Sequence, residues 1–239
     1  MESMKAVGRA ERTRQADGSE VWRLGPAEHE VVRWLSWLGE QGIGGFVRSG
    51  QDERGFWLVR AFQGQPLSGW LRAQKSPVAW REAVELTRKV ASLAAICEEQ
   101  SVFVGALSPH DILYDQAAGA VQLRAETWVT MQVGGPKDPH DAQSLSSRWM
   151  APELAAGAPP DFASNRYVIG LLLYRLLANE HPFEGMGLRL ALEQAQRGAP
   201  PMREEIAGAL PPGLQTLCLQ MLDPHPGGRP TSARAIASR

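Results

Sequence analysis

The residue types able to do acid–base, nucleophilic or metal chemistry are scattered along this chain. Five histidines, His29, His110, His140, His181 and His225, share no ligand spacing with the two cysteines, Cys97 and Cys218, so the tight His/Cys pattern of a zinc site is missing from the sequence. Asp138, His140, Asp141 and Ser144 bring carboxylates, an imidazole and a hydroxyl into one short stretch. A hydrolytic triad is defined by geometry rather than adjacency, and Gly and Pro punctuate this stretch, so these residues read as solvated loop groups. Cys97 and Cys218 fall on apolar helical faces and read as core thiols. The charged residues with clearer prospects, Arg23, Glu30, Asp111, Glu153 and Arg229, depend on the elements that carry them.

Composition sets the frame for those elements. The chain has 239 residues, enough for one large domain or two unequal lobes. Lys and Arg total 25 against 26 Asp and Glu, a net charge of −1, which argues against the basic excess of a nucleic-acid binder. A hydrophobic content of 44% supports a packed core. Two cysteines make no disulfide framework and point to a reducing, cytoplasmic setting. The polar N-terminal stretch does not read as a signal peptide. Val168–Leu173, the longest apolar run, is far short of the roughly 20 residues of a membrane span.

Patterning divides the chain near residue 66. Before it, strands are expected at Lys5–Ala10 and Glu20–Leu24 around an Asp17-Gly18 turn, and at Phe46–Ser49 and Phe56–Phe62 around Asp52–Gly55. Val31, Trp34, Leu35 and Leu38 predict a helix between them. Trp34, Trp37 and Trp57 crowd this small part with aromatic surface, enough to leave an apolar patch for a partner. Beyond Pro66 the chain reads as mainly helical. Leu86, Val90, Leu93 and Cys97 form one stripe over residues 80–98, and about Ser164–Ala178 is apolar almost all round, as a buried central helix must be. Short strands are expected at Asp111–Tyr114 and Ala120–Arg124, a long loop from Thr127 to Ser147, and helices near 186–197, 211–222 and 231–238.

Several segments, in this order, resemble the protein kinase superfamily of bacterial serine/threonine type. Arg148-Trp149-Met150-Ala151-Pro152-Glu153-Leu154 carries the Ala-Pro-Glu signature that closes a kinase activation segment. Asn165–Leu177 resembles the central helix, His181-Pro182-Phe183 the Pro-Phe pair that follows it, and Leu222–Thr231 the closing Arg-Pro motif. The resemblance implies that Glu153 and Arg229 form a structural ion pair tying the activation segment to the core. It further implies an α+β, protein-kinase-like bilobal fold: a truncated N-lobe of β strands plus one helix over 1–62, a hinge at 63–66, and a helical C-lobe over 67–239 with an activation-type segment at 125–153.

Against the chemistry of this family the match thins. No glycine-rich loop occurs before residue 42, so the first strand and the phosphate cradle are expected to be missing. Arg23 stands at the strand-lysine position, and Glu30 is the best match for its glutamate partner; these are vestigial nucleotide-binding candidates. Val104–Leu113 aligns with the catalytic loop, putting Ala106 at the catalytic aspartate, Ser108 at the phosphate-steadying lysine and Asp111 at the metal-binding asparagine. Ala125 stands at the magnesium aspartate, and Asn165 replaces the aspartate that braces the loop. A methyl group neither accepts a proton nor binds a metal.

The expectation is therefore a degenerate, catalytically inactive pseudokinase, not an enzyme. It would use no ATP or magnesium cofactor and act as a scaffold or allosteric regulator for a protein partner such as an active kinase or signalling complex. The alternative is an atypical ATP-binding kinase or transferase using Arg23, Glu30 and Asp111. Ser144, Ser146 and Ser147 stand as candidate phosphate acceptors for another kinase.

Overall fold

The computed structural model describes residues 11–16, 19–24, 33, 36–37, 39–41, 46–60, 64–101, 107–123, 147–159 and 161–239. The chain is a mixed α+β protein with small sheets and many helices, consistent with a kinase-like fold. It divides into two compact units, one of Met1–Gln65 with Asp111–Pro139, the other of Pro66–His110 with His140–Arg239.

The first unit holds an antiparallel four-stranded sheet of β1 (Glu11–Arg14), β2 (Glu20–Leu24), β3 (Phe46–Asp52) and β4 (Gly55–Arg60) in the order β1-β2-β4-β3. Trp22 of β2 lies opposite Leu58 of β4, and both are buried. The Trp22 ring meets Phe46 edge-on at 6.2 Å, so one face of the sheet carries the apolar core of this unit. The expected strand at Lys5–Ala10 and most of the helix after Pro26 lie outside the described residues. Gln65–Pro66 form a short strand, β5. Strands β6 (Ile112–Asp115) and β7 (Ala120–Leu123) form an antiparallel hairpin, with Asp115 Oδ1 accepting from the backbone N–H of Ala117 and Ala118 to hold the turn.

The second unit comprises α1 (Leu67–Ala73), α2 (Trp80–Glu99), α3 (Pro152–Ala155), α4 (Phe162–Ala178), α5 (Leu188–Ala195), α6 (Glu204–Ala209), α7 (Leu214–Met221) and α8 (Ala233–Ala237). Helix α4 is buried along most of its length, which its all-round apolar sequence requires. Asp161 caps it: the Asp161 carboxylate accepts from the Ser164 N–H at 2.9 Å, and Ser164 Oγ accepts from the Asp161 N–H at 3.3 Å. At its other end Asn179 takes a left-handed conformation, φ 55°. Helices α2 and α7 pack against α4, and α8 packs on α2, whose stripe of Leu86, Val90, Leu93 and Cys97 is buried. Burial pushes the Cys97 thiol up to about 12, as suits a core thiol. Among the described residues no helix is long and apolar enough to cross a membrane.

The crossing of α4 and α7 is close because Gly170 has no side chain. A Cβ there would sit 2.7 Å from Met221 Cβ, and Cys218 Sγ donates to the Gly170 carbonyl at 3.6 Å. Gly170→Ala should force the helices apart and cost about 1–3 kcal/mol, read as a lower midpoint in chemical denaturation; an unchanged midpoint would contradict this packing.

Candidate functional site

Glu153 is the second residue of α3, a helix that Pro152 opens in the favoured first-turn position. Arg229 directly follows a tight 3₁₀ turn, Pro226–Gly228. At that turn Gly228 lies against the Asp223 carboxylate, which a Cβ would displace. The two residues form a bidentate pair: Arg229 Nη1 and Nη2 each donate to one Glu153 carboxylate oxygen at 2.7 Å. The remaining guanidinium hydrogens go to backbone carbonyls. Nε donates to Asp223 O at 2.8 Å, Nη1 to Ala163 O at 2.9 Å and Nη2 to Pro224 O at 3.2 Å. All five N–H donors are thus used, and the Arg229 side chain is 0% exposed. Its face lies 4.8 Å from the Tyr167 ring centre. Ser164 Oγ, besides capping α4, donates to Glu153 at 3.0 Å. Burial raises the Glu153 pKa, but hydrogen bonds from Arg229, its own backbone and Ser164 outweigh it and hold the carboxyl below the ordinary glutamate range.

The stretch that the sequence aligns with a kinase catalytic loop is anchored from two sides. Asn165, on the first turns of α4 and 3% exposed, accepts from the Leu107 N–H through Oδ1 at 3.0 Å. The Ser68 N–H of α1 donates to Pro109 O at 3.0 Å, and Ser68 Oγ lies 3.5 Å from His110 Nδ1. Ser108 is buried, and its Oγ accepts from the His110 N–H at 3.3 Å. Asp111 is half-buried, immediately before β6. Arg23, in β2, donates to Asp52 of β3 at 2.8 Å with a third of its side chain exposed. Ala106, Ala125 and Glu30 lie outside the described residues, as do Ser144 and Ser146; Ser147 opens a 3₁₀ turn through Trp149.

Three polar contacts of the second unit were not anticipated. Glu98 takes Arg166 on one carboxylate oxygen at 2.6 Å and the Ala233 N–H on the other at 2.7 Å, so one acid joins α2, α4 and α8. The Asn165 contact with Leu107 is the second. The third involves His181, which is buried with its ring edge-on to Trp149 at 5.5 Å. Burial pushes the His181 imidazole down to about 4, and Nδ1 accepts from the Phe183 N–H at 3.3 Å, so this histidine is a neutral packing residue. Each pairs residues remote in sequence or relies on burial; the nearest sequence signals are the central-helix motif for Asn165 and the His-Pro-Phe run for His181.

No family model matches the chain. Serine/threonine-protein kinase pkn2 of Myxococcus xanthus is 25% identical over 241 residues, covering 97% of this chain and 27% of the relative. Serine/threonine-protein kinase Pkn1 of the same organism is 24% identical over 217 residues, 87% of this chain and 30% of its own length. Serine/threonine-protein kinase PrkC of Bacillus subtilis is 23% identical over 154 residues, 63% of this chain and 23% of the relative. The chain is similar, at low identity, to proteins of the protein kinase superfamily. It spans less than a third of the length of these kinases. One expectation is corrected by this finding. Alanines at the catalytic and metal-binding aspartate positions (Ala106, Ala125) and the lack of a glycine-rich loop predict a non-enzyme, whereas the relatives are named as kinases and point to an enzyme. The physical reason is that phosphoryl transfer rests mostly on positioning and charge rather than on one covalent group, so the loss of particular family residues does not by itself take a kinase-like chain out of the enzymes.

Arg229→Ala should cost about 3–5 kcal/mol, because it strands the buried Glu153 carboxylate. Arg229→Lys, with three donors in place of five, should recover only part of the loss. Equilibrium unfolding of both variants checks this, and a near-neutral Arg229→Ala would refute the role of the pair. The pH dependence follows from Glu153. A carboxyl held low in the folded state stabilises above its unfolded pKa of about 4.3 and loses that contribution as pH falls through the folded value. Stability should therefore decline below about pH 5 more steeply in the parent than in Glu153→Gln, as measured by denaturant midpoints at stepped pH.

Proposed function

We propose that this chain is an atypical domain of serine/threonine-kinase type, acting in bacterial-type, cytoplasmic phosphorylation signalling. It passes the γ-phosphoryl group of ATP to a protein hydroxyl, releasing ADP, with polar groups other than the family's usual set. The observation that carries this reading is the double anchorage in the helical unit. Glu153 and Arg229 hold the Ala-Pro-Glu end of the segment that resembles an activation segment, and Asn165 holds Leu107, within the stretch that resembles the catalytic loop. Buried polar contacts hold both segments. Arg23, Glu30 and Asp111 are the polar groups assigned to the nucleotide.

The magnesium that kinases pair with ATP does not fit this residue set. Position 125 is alanine, and among the described residues no group of three His, Cys, Asp or Glu side chains is placed to hold a metal. No metal-dependent step follows from these residues. Losing a preorganised electrostatic group typically costs about 10²–10³ in rate, so transfer by this domain is slow. A second reading, a protein scaffold or allosteric regulator of another kinase, draws on the same two substitutions, Ala106 and Ala125, and on the anchored activation segment as a docking surface.

Thermal unfolding with ATP tests the first reading. Nucleotide at 100 times its dissociation constant should stabilise by about 2.7 kcal/mol, equally with and without Mg²⁺. Asp111→Ala should reduce the shift and abolish transfer of labelled γ-phosphate to the chain or a model protein. No ATP-dependent shift and no transfer would overturn the phosphotransferase reading.

A further inference from the structure

Strand β3 is the longest strand among the described residues, and it stands at one margin of the four-stranded sheet, paired on one side only with β4. Such margins are normally blunted by lysine, proline or short length, because their free N–H and C=O groups template further pairing. Phe46–Asp52 contains neither lysine nor proline, and Val47, Arg48, Ser49, Gln51 and Asp52 are exposed. A bulge at Val47 lies at the start of the strand and leaves Arg48–Asp52 in unbroken register with β4.

The register fixes which backbone groups are free. Asp52 and Gly55 flank the two-residue turn at Glu53 and Arg54, so this pair exchanges both of its backbone hydrogen bonds. Alternation gives the same arrangement to Gly50 with Trp57 and to Arg48 with Val59, and it turns the N–H and C=O groups of Ser49 and Gln51 away from β4. A second copy meeting this margin antiparallel must set outward residues opposite outward residues. Ser49 on Ser49 leaves Arg48 opposite Gly50, with no charge partner, and Gln51 on Gln51 sets Arg48 opposite Arg54, like against like. Ser49 on Gln51 sets Arg48 of each copy opposite Asp52 of the other, so two opposite-charge pairs form at once. Asp52 already accepts from Arg23 and from the Arg54 N–H, and a carboxylate, with about four lone-pair sites, has room for one more guanidinium.

Gly50 lies at the centre of that third register. The half-buried Trp57 ring occupies the space its Cβ would take, and a glycine within a strand lets another backbone come close. We propose that this chain self-associates by antiparallel pairing of β3 with β3 of a second copy, centred on Gly50. The product is one sheet with four strands from each copy. The two Trp57 rings then flank the symmetry axis on one face, so the pairing covers apolar as well as polar surface. This inference does not rest on the phosphotransferase reading.

Analytical ultracentrifugation of the full chain tests it, and the mass should rise with concentration from one chain toward two. Gln51→Pro removes an outward N–H without touching the β3–β4 ladder, and should leave a monomer that still unfolds cooperatively. Arg48→Asp and Asp52→Arg each set like charges opposite one another at both ends of the pairing. Each should weaken self-association about tenfold. In an equimolar mixture of these two variants every such pair is again opposite in sign, so association should return. The mass of a single chain at every concentration, parent-like association in Gln51→Pro or Arg48→Asp, or no recovery in a mixture of the folded variants would each overturn the proposal.

Discussion

A full positive charge enters the interior of the helical unit at Arg229, and the local architecture follows from making that tolerable. Desolvating a guanidinium is expensive unless every hydrogen finds an acceptor. Here two hydrogens go to the Glu153 carboxylate and three to main-chain carbonyls, which must all be turned toward one point. The carbonyls of Asp223 and Pro224 come from the turn just before Arg229, and that of Ala163 from the first turn of α4. Three segments distant in sequence are therefore held at fixed separations by one planar group. A lysine, with a tetrahedral head and three hydrogens, has no conformation that meets the same set.

Ser164 extends this control to the start of the central helix. Its hydroxyl contacts both the capping carboxylate of Asp161 and the carboxylate of Glu153. Helix nucleation and placement of the Ala-Pro-Glu segment thus share one side chain. Glu98 does similar work at the far end of α2, where it binds Arg166 of α4 and supplies an acceptor for the first N–H of α8. A helix as short as α8 has little stability of its own, and this external cap, with Ser232 Oγ accepting from the Ala235 N–H, fixes where it begins.

Most of the elements were legible because their signals are local. The stripe of α2 and the all-round apolar run of α4 identify both helices by periodicity, and strand β2 runs from Glu20 to Leu24 as the pattern predicts. Asp115 and Gly119 mark the β6–β7 turn. Helix α6 escaped notice because Glu204–Ala209 buries no residue and so has no apolar stripe. The Glu98 contact with Ala233 spans 135 residues and no local pattern announces it, whereas Asn165, 58 residues from Leu107, is marked only by its place in the resembled central helix. The expectation of no catalysis, drawn from the missing glycine-rich loop and from Ala106, Ser108 and Ala125, is overturned by relatives named as kinases rather than by any local pattern.

The carboxamide of Asn165 has a consequence for how the catalytic loop responds to its surroundings. Where the resembled family carries an aspartate, the strength of the grip on the loop backbone varies with proton activity and with the charges that gather near it. An amide oxygen has no proton to gain in the ordinary range and no net charge to be screened. The tie between α4 and Leu107 is accordingly indifferent to acidity and to ionic strength. This part of the molecule behaves as a passive strut rather than as an electrostatic sensor.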